Sequence, residues 1–104
     1  MAMETVSEAL QRLASAGYTH AYRAESQGLR NLSNGRVDPP ETFRVEEVVR
    51  FEGESDPADE SAVFAIALET EPDLAKGTYT VAYGSLMDPL DADMVRRLAT
   101  LPRR

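Results

Sequence analysis

Cysteine is absent from this chain, and histidine and lysine each occur once, as His20 and Lys76. Without cysteine there is no disulfide, no thiolate metal site, no iron–sulfur ligation and no cysteine nucleophile. The longest unbroken apolar run, Ala62 to Leu68, is far short of the roughly 20 residues a membrane helix needs. Met1-Ala2-Met3-Glu4 carries neither a basic region nor an apolar run, so no secretory signal is expected and a cytoplasmic location is. Phosphate-binding Walker and Gly-x-Gly-x-x-Gly loops are missing, as are a Gly-x-Ser-x-Gly elbow and a His-Glu-x-x-His zinc motif. No cofactor is expected on these grounds.

What is present is an acidic chain of 104 residues with a formal charge of −7. That length suits one domain with one core. Hydrophobic residues make up 42%, enough for a core of modest size. Negative charge without a basic stripe repels phosphate backbones, so no nucleic-acid partner is expected. The basic complement is almost entirely arginine, which a GC-rich genome favours. A saline cytoplasm would equally favour an acidic surface whose self-repulsion is screened.

Periodicity divides the chain into elements. Val6, Ala9, Leu10, Leu13 and Ala16 form one apolar helical stripe, Thr5 and Glu8 make a capping box, and Gly17 supplies a stop, which predicts a helix over 6–16. Tyr18, His20, Tyr22 and Ala24 alternate with more polar residues, predicting a half-buried strand over 18–25. Leu29 to Leu32 reads as a short edge strand among turn signals, and Asp38 can cap a single turn through Pro39-Pro40-Glu41-Thr42. In 43–52, Phe43, Val45, Glu47, Val49 and Phe51 point one way, and Arg44, Glu46, Val48, Arg50 and Glu52 the other. Glu47 is the oddity on its face and belongs near an edge. The apolar run of 61–68 reads as a central strand, and 78–84 alternates again. Asp88, Pro89, Asp91 and Asp93 open a second helix whose stripe is Leu90, Met94, Leu98 and Leu101.

Loops between strands 43–52, 61–68 and 78–84 are too short for parallel crossovers and imply an antiparallel meander. The expected architecture is a two-layer α+β domain: an antiparallel sheet of four to five strands with the N-terminal and C-terminal helices on one face.

Three groups of residues invite a chemical role. Glu52, Glu54, Asp56, Asp59 and Glu60 are dense oxygen donors that could hold Ca²⁺ or Mg²⁺, yet they lack the EF-hand pattern, and a solvated hairpin loop explains them all. His20 is the one side chain with an ordinary pKa near neutrality, but no orienting carboxylate lies at a telling spacing, and packing in the sheet accounts for it. Arg23, Arg44 and Arg50 could grip a phosphate or carboxylate; pairing with Glu25, Glu46 or Glu52 is the simpler reading.

The segment running from Phe43 through Arg50-Phe51-Glu52-Gly53-Glu54-Ser55-Asp56-Pro57 to Ile66 resembles a family of short bacterial proteins often labelled phosphoribosylpyrophosphate synthetase. Gly17-Tyr18-Thr19-His20 and Ala82-Tyr83-Gly84 fit as well, so the likeness spans most of the chain. It implies that Arg50 to Asp59 is the most characteristic part. No segment here matches the phosphoribosyl-binding loop of the large synthetases, so no catalytic residue carries over. The candidate ligand-binding residues are Arg50, Glu52, Ser55, Asp56, Asp59 and His20, with no metal assigned. The expectation is a non-catalytic binding or interaction module for a protein partner or small ligand. The alternative is a small enzyme, or part of one, acting on a phosphorylated sugar or nucleotide. A homodimer through sheet edges is a third.

If the charge reflects a saline cytoplasm, the melting temperature climbs as KCl rises toward molar levels. A flat melting curve series would assign the arginine-rich, acidic composition to codon usage instead.

Overall fold

The computed structural model describes residues 4–51, 61–70, 75–82 and 87–101. The elements in chain order are α1 (Val6–Ser15), β1 (His20–Glu25), β2 (Gly28–Asn31), β3 (Val37–Asp38), a 3₁₀ turn (Pro40–Thr42), β4 (Phe43–Phe51), β5 (Ser61–Leu68), β6 (Lys76–Ala82) and α2 (Pro89–Ala99). The chain is an α+β protein with two helices and a six-stranded mixed sheet in the order β3-β2-β1-β6-β5-β4.

Local chemistry sets the helix ends. The Thr5 hydroxyl accepts from the Glu8 N–H at 3.1 Å, and the Glu8 carboxylate accepts from the Thr5 N–H at 2.9 Å, so the capping box is complete. At the far end Gly17 takes φ +104°, and the Tyr18 N–H turns back to the Leu13 carbonyl at 2.9 Å. This closure holds Tyr18 out of the strand, which starts two residues later than the alternation predicts. In α2 the Asp88 carboxylate accepts from the Leu90 N–H at 2.8 Å, with Pro89 in the first turn. No side chain caps the 3₁₀ turn, so the expected Asp38 cap is not formed.

β4, β5 and β6 form the expected antiparallel meander. The rest of the sheet departs from expectation. β1 joins β6 in parallel, pairing His20 with Gly77 and Tyr22 with Tyr79, and its other side carries the antiparallel β2 and β3. β2 is therefore not an edge. The parallel join depends on a missing side chain, because a Cβ at Gly77 would lie 2.3 Å from the His20 carbonyl oxygen.

The helices do not share a face. Strand alternation in β5 sends Val63 and Ala65 toward Leu13 of α1, whereas Phe64, Ile66 and Leu68 join Met94 and Leu98 of α2 in the larger core. The sheet is covered on both sides, which corrects the two-layer expectation. The physical reason is β5 itself: a strand apolar on both faces needs a cover for each. Leu90, expected in the apolar stripe of α2, is 43% exposed.

β4 also departs from simple alternation. Val45 stands opposite Ile66 and Glu47 opposite Ala65, so Glu46 is an extra, bulged residue. Beyond it the parity reverses. Val48 and Arg50 take the α2 face already used by Phe43 and Val45, while Glu47, Val49 and Phe51 turn to the α1 side. Among the described residues β4 pairs with β5 alone and forms a sheet edge.

Gly77→Ala is expected to lose at least about 1–3 kcal/mol of stability, since the clash is with backbone that cannot rotate away. A urea unfolding midpoint unchanged by this substitution would contradict the close approach of β1 and β6.

Candidate functional site

The bulge determines what lies beneath α2. That helix packs over β1 and over the 3₁₀ turn that leads into β4. Between it and the outer strand a partly open hollow of about 220 Å³ remains, lined by Val45, Val48, Arg50, Phe64, Val95, Leu98 and Ala99. Val45, Val48 and Arg50 come from β4, Phe64 from the fully buried stretch of β5, and the others from successive turns of α2. Phe64 is fixed from behind by stacking on Tyr79, with ring centroids 5.9 Å apart. Tyr79 is itself held by donating its hydroxyl hydrogen to Asp91 of α2. Among the described residues the lining side chains of the hollow are apolar except for Arg50, which is exposed.

On the opposite face the bulge organises a polar cluster. The Tyr18 hydroxyl donates to Glu46 at 2.5 Å, and the Arg44 guanidinium donates to the same carboxylate at 3.0 Å. The Lys76 ammonium lies 4.0 Å from Glu46 and 4.3 Å from the centre of the Tyr18 ring. Beside this cluster Arg12 of α1 bridges Glu4 and Glu47, each at 2.9 Å. The oddity of Glu47 is thereby resolved, for it faces α1 and pairs with arginine. Burial, reinforced by the hydrogen bond to Glu46, pushes the Tyr18 phenol up to about 12. The same bond, followed by that from Arg44, holds the Glu46 carboxyl below the usual range despite its partial burial. The bonds that Arg12 donates to Glu4 and then to Glu47 raise its pKa above the ordinary value.

A third group runs from His20 into the sheet. Asn31, nearly fully buried, lies with its amide nitrogen 3.1 Å from His20 Nδ1 and 3.3 Å from the Tyr22 hydroxyl. Tyr22 in turn donates to the Ala75 carbonyl at 3.0 Å, and the Asn31 carbonyl oxygen accepts from the Ser33 N–H at 2.8 Å. His20 is accordingly a hydrogen-bonded sheet residue, satisfied through a buried asparagine. Burial raises the Tyr22 pKa, with the Asn31 hydrogen bond opposing it.

The candidate residues are not brought together. His20 lies on β1 and Arg50 on β4, three strand positions apart, which is roughly 14 Å across the sheet at the usual spacing before their offset along the strands is added. Glu52, Ser55, Asp56 and Asp59 fall outside the described residues. Arg44 takes the ion-pair role with Glu46, and Glu25 is paired by Arg30 at 2.5 Å. Arg23 lines a smaller hollow of about 100 Å³ with Ala24, Asp88, Leu90 and Asp91. Among the described residues no group of three metal-ligating side chains converges, and no helix is long and apolar enough to cross a membrane.

Of the residues lining this hollow, the sequence singles out Arg50 by its charge and leaves Val48, Val95 and Ala99 unmarked. Strict alternation puts Val45 and Val48 on opposite faces, and only the bulge reunites them. The signal present in the sequence was the glutamate pair at 46–47 inside an apolar pattern. Comparison of the chain with family models, with curated proteins and with solved structures finds no match.

Tyr18 is expected to titrate near 12, followed by its ring-carbon resonance with Tyr18→Phe as the assignment control. The unfolded chain releases this proton near 10, so above that pH it binds fewer protons than the native state. Stability from this group is therefore full below about pH 10 and is lost as pH rises toward about 12. Glu46→Gln should bring the phenol down but not to its ordinary value, because burial is the larger cause. A Tyr18 titration at the ordinary value in the unaltered chain would refute the contact.

Proposed function

We propose that the protein is a non-catalytic binding module of the cytoplasm that takes a small apolar group into the hollow between α2 and β4. The observation that carries this reading is the lining among the described residues: six apolar side chains and one arginine around about 220 Å³. Size narrows the choice. An apolar cavity of roughly 150 Å³ suffices for benzene, and drug-sized ligands occupy about 300–1,000 Å³. A single ring or a short branched chain fits between these.

The rival reading is a small enzyme or enzyme subunit acting on a phosphorylated sugar or nucleotide. Arg50 in the hollow and the resemblance around Arg50 to Asp59 support it. A sugar phosphate, however, brings many hydroxyls and phosphate oxygens, each of which needs a hydrogen-bond partner when withdrawn from water. The described lining supplies one side chain able to donate. An apolar ligand suits that floor better.

Benzene is the simplest probe of this reading. Its addition should shift the methyl resonances of Val45, Val48, Val95 and Leu98 saturably, leaving those of Val6 and Leu10 on the α1 side unmoved. Val95→Phe, which places a ring in the hollow, should abolish the response. Uniform, unsaturable drift across both faces would count against a binding site there.

A further inference from the structure

We infer that the ligand of the α2–β4 hollow is a small carboxylic acid, with its ring or branched chain against Phe64, Val95 and Leu98 and its carboxylate at Arg50. This rests on the binding-module reading and adds to it the chemistry of the ligand's polar end. Among the described residues the hollow is lined by one charged side chain, and in a chain of net charge −7 that side chain is a cation. Charge complementarity with the Arg50 guanidinium favours an anion, against the sign of the protein as a whole.

The group is suited to the task. Guanidinium remains charged at any physiological pH and offers a planar fork of five N–H donors, matching both oxygens of a carboxylate. Five donors also allow Arg50 to engage a ligand while it keeps a partner elsewhere. Its position follows from the bulge at Glu46, which turns Arg50 to the same side as Val45 and Val48. Opposite Arg50 on β5 stands Ala62, whose single methyl leaves space beside the arginine stem.

Volume argues for the length of the acid. With about 220 Å³ available, a ring or a branched chain of four or five carbons fills the floor and leaves the carboxylate at the exposed rim. A long acyl chain or a polycyclic acid would not be enclosed. The exposed position of Arg50 keeps the carboxylate partly hydrated, so its charge need not be buried unpaired.

The test compares acids with neutral counterparts of the same shape: benzoate with benzyl alcohol, and isovalerate with isoamyl alcohol, with benzene as the apolar reference. Each is titrated into the full chain and followed by amide and methyl resonances at Val48, Phe64, Val95 and Leu98. One acid of the two pairs should bind saturably and about tenfold or more tighter than its alcohol. Arg50→Gln should weaken that acid by about ten- to a hundredfold, the range of charge-assisted hydrogen bonds, and leave the alcohol unchanged. Arg50→Lys, which keeps the charge but not the fork, should recover part of the loss. The amide spectrum of each variant shows whether its fold is intact. Equal binding of acid and alcohol, or an acid affinity indifferent to Arg50→Gln, would overturn the carboxylate assignment and leave the binding module standing. Failure of benzene, both acids and both alcohols to bind would overturn the two together.

Discussion

Burial of β5 on both faces is the constraint from which the rest of the architecture follows. From Ala62 to Leu68 every residue is buried, and six of these seven are no more than 2% exposed. A strand of that composition is stable only when both its faces are covered and both its edges are paired. The meander supplies the edges through β4 and β6, and α1 and α2 supply the covers. The division of labour is unequal. Small residues, Val63 and Ala65, face α1 and allow a close approach. Phe64, Ile66 and Leu68 face α2 and stand off that helix, with Phe43, Val45, Tyr22 and Tyr79 filling the space between. The ring of Tyr22 meets that of Phe43 edge-on at 5.1 Å, which ties β1 to the start of β4 across the core.

A single extra residue then differentiates the two faces of β4. Without the bulge at Glu46, Val48 and Arg50 would point toward α1, and Glu47 would stand among the apolar residues beneath α2. That arrangement would bury a carboxylate without a partner, which costs far more than the local loss of strand pairing. With the bulge, Glu46 and Glu47 both reach the α1 side, where Tyr18, Arg44, Lys76 and Arg12 meet them. The polar cluster and the hollow are consequently two results of one register shift. Bulged and charged edge strands also resist pairing with further chains, so the same feature weighs against association through the β4 edge.

Much of the fold was legible because it is written in local chemistry. The Thr5–Glu8 box, Gly17, Asp88 and Pro89 mark helix ends by residues whose roles do not depend on the rest of the molecule. The apolar run of β5 announced a strand buried on both faces for the same reason, although it lies one place in from the β4 edge and not at the centre. What was not legible depends on partners distant in sequence. Nothing near Tyr18 to Glu25 states that β1 will pair in parallel with a strand more than fifty residues on; the enabling feature is a glycine, Gly77, whose importance appears only when the His20 carbonyl is beside it. Likewise, two apolar helices follow from their stripes, but which face each covers is decided by β5. Among the residues lining the hollow, Arg50 stands out in the sequence by its charge. Its apolar companions were hidden by parity, since a bulge moves residues between faces without altering composition.

The hollow itself is informative because unfilled apolar space is costly. Cavities left by truncated core residues cost about 24 cal/mol per Å³, so an enclosed void of 220 Å³ would forgo about 5 kcal/mol. Total stability of a domain is only about 5–15 kcal/mol. The opening to water reduces that cost, and the small residues Val95 and Ala99 line the space that stays open. Stability alone gives no reason to leave these positions small. Retained space beneath a helix, beside the Arg50 guanidinium, is what a ligand site requires: an apolar surface to be covered and a charge to orient what covers it. The strained demand of β5 for two covers is met by two short helices, and the part of the α2 face that its helix leaves open is where recognition has room to occur.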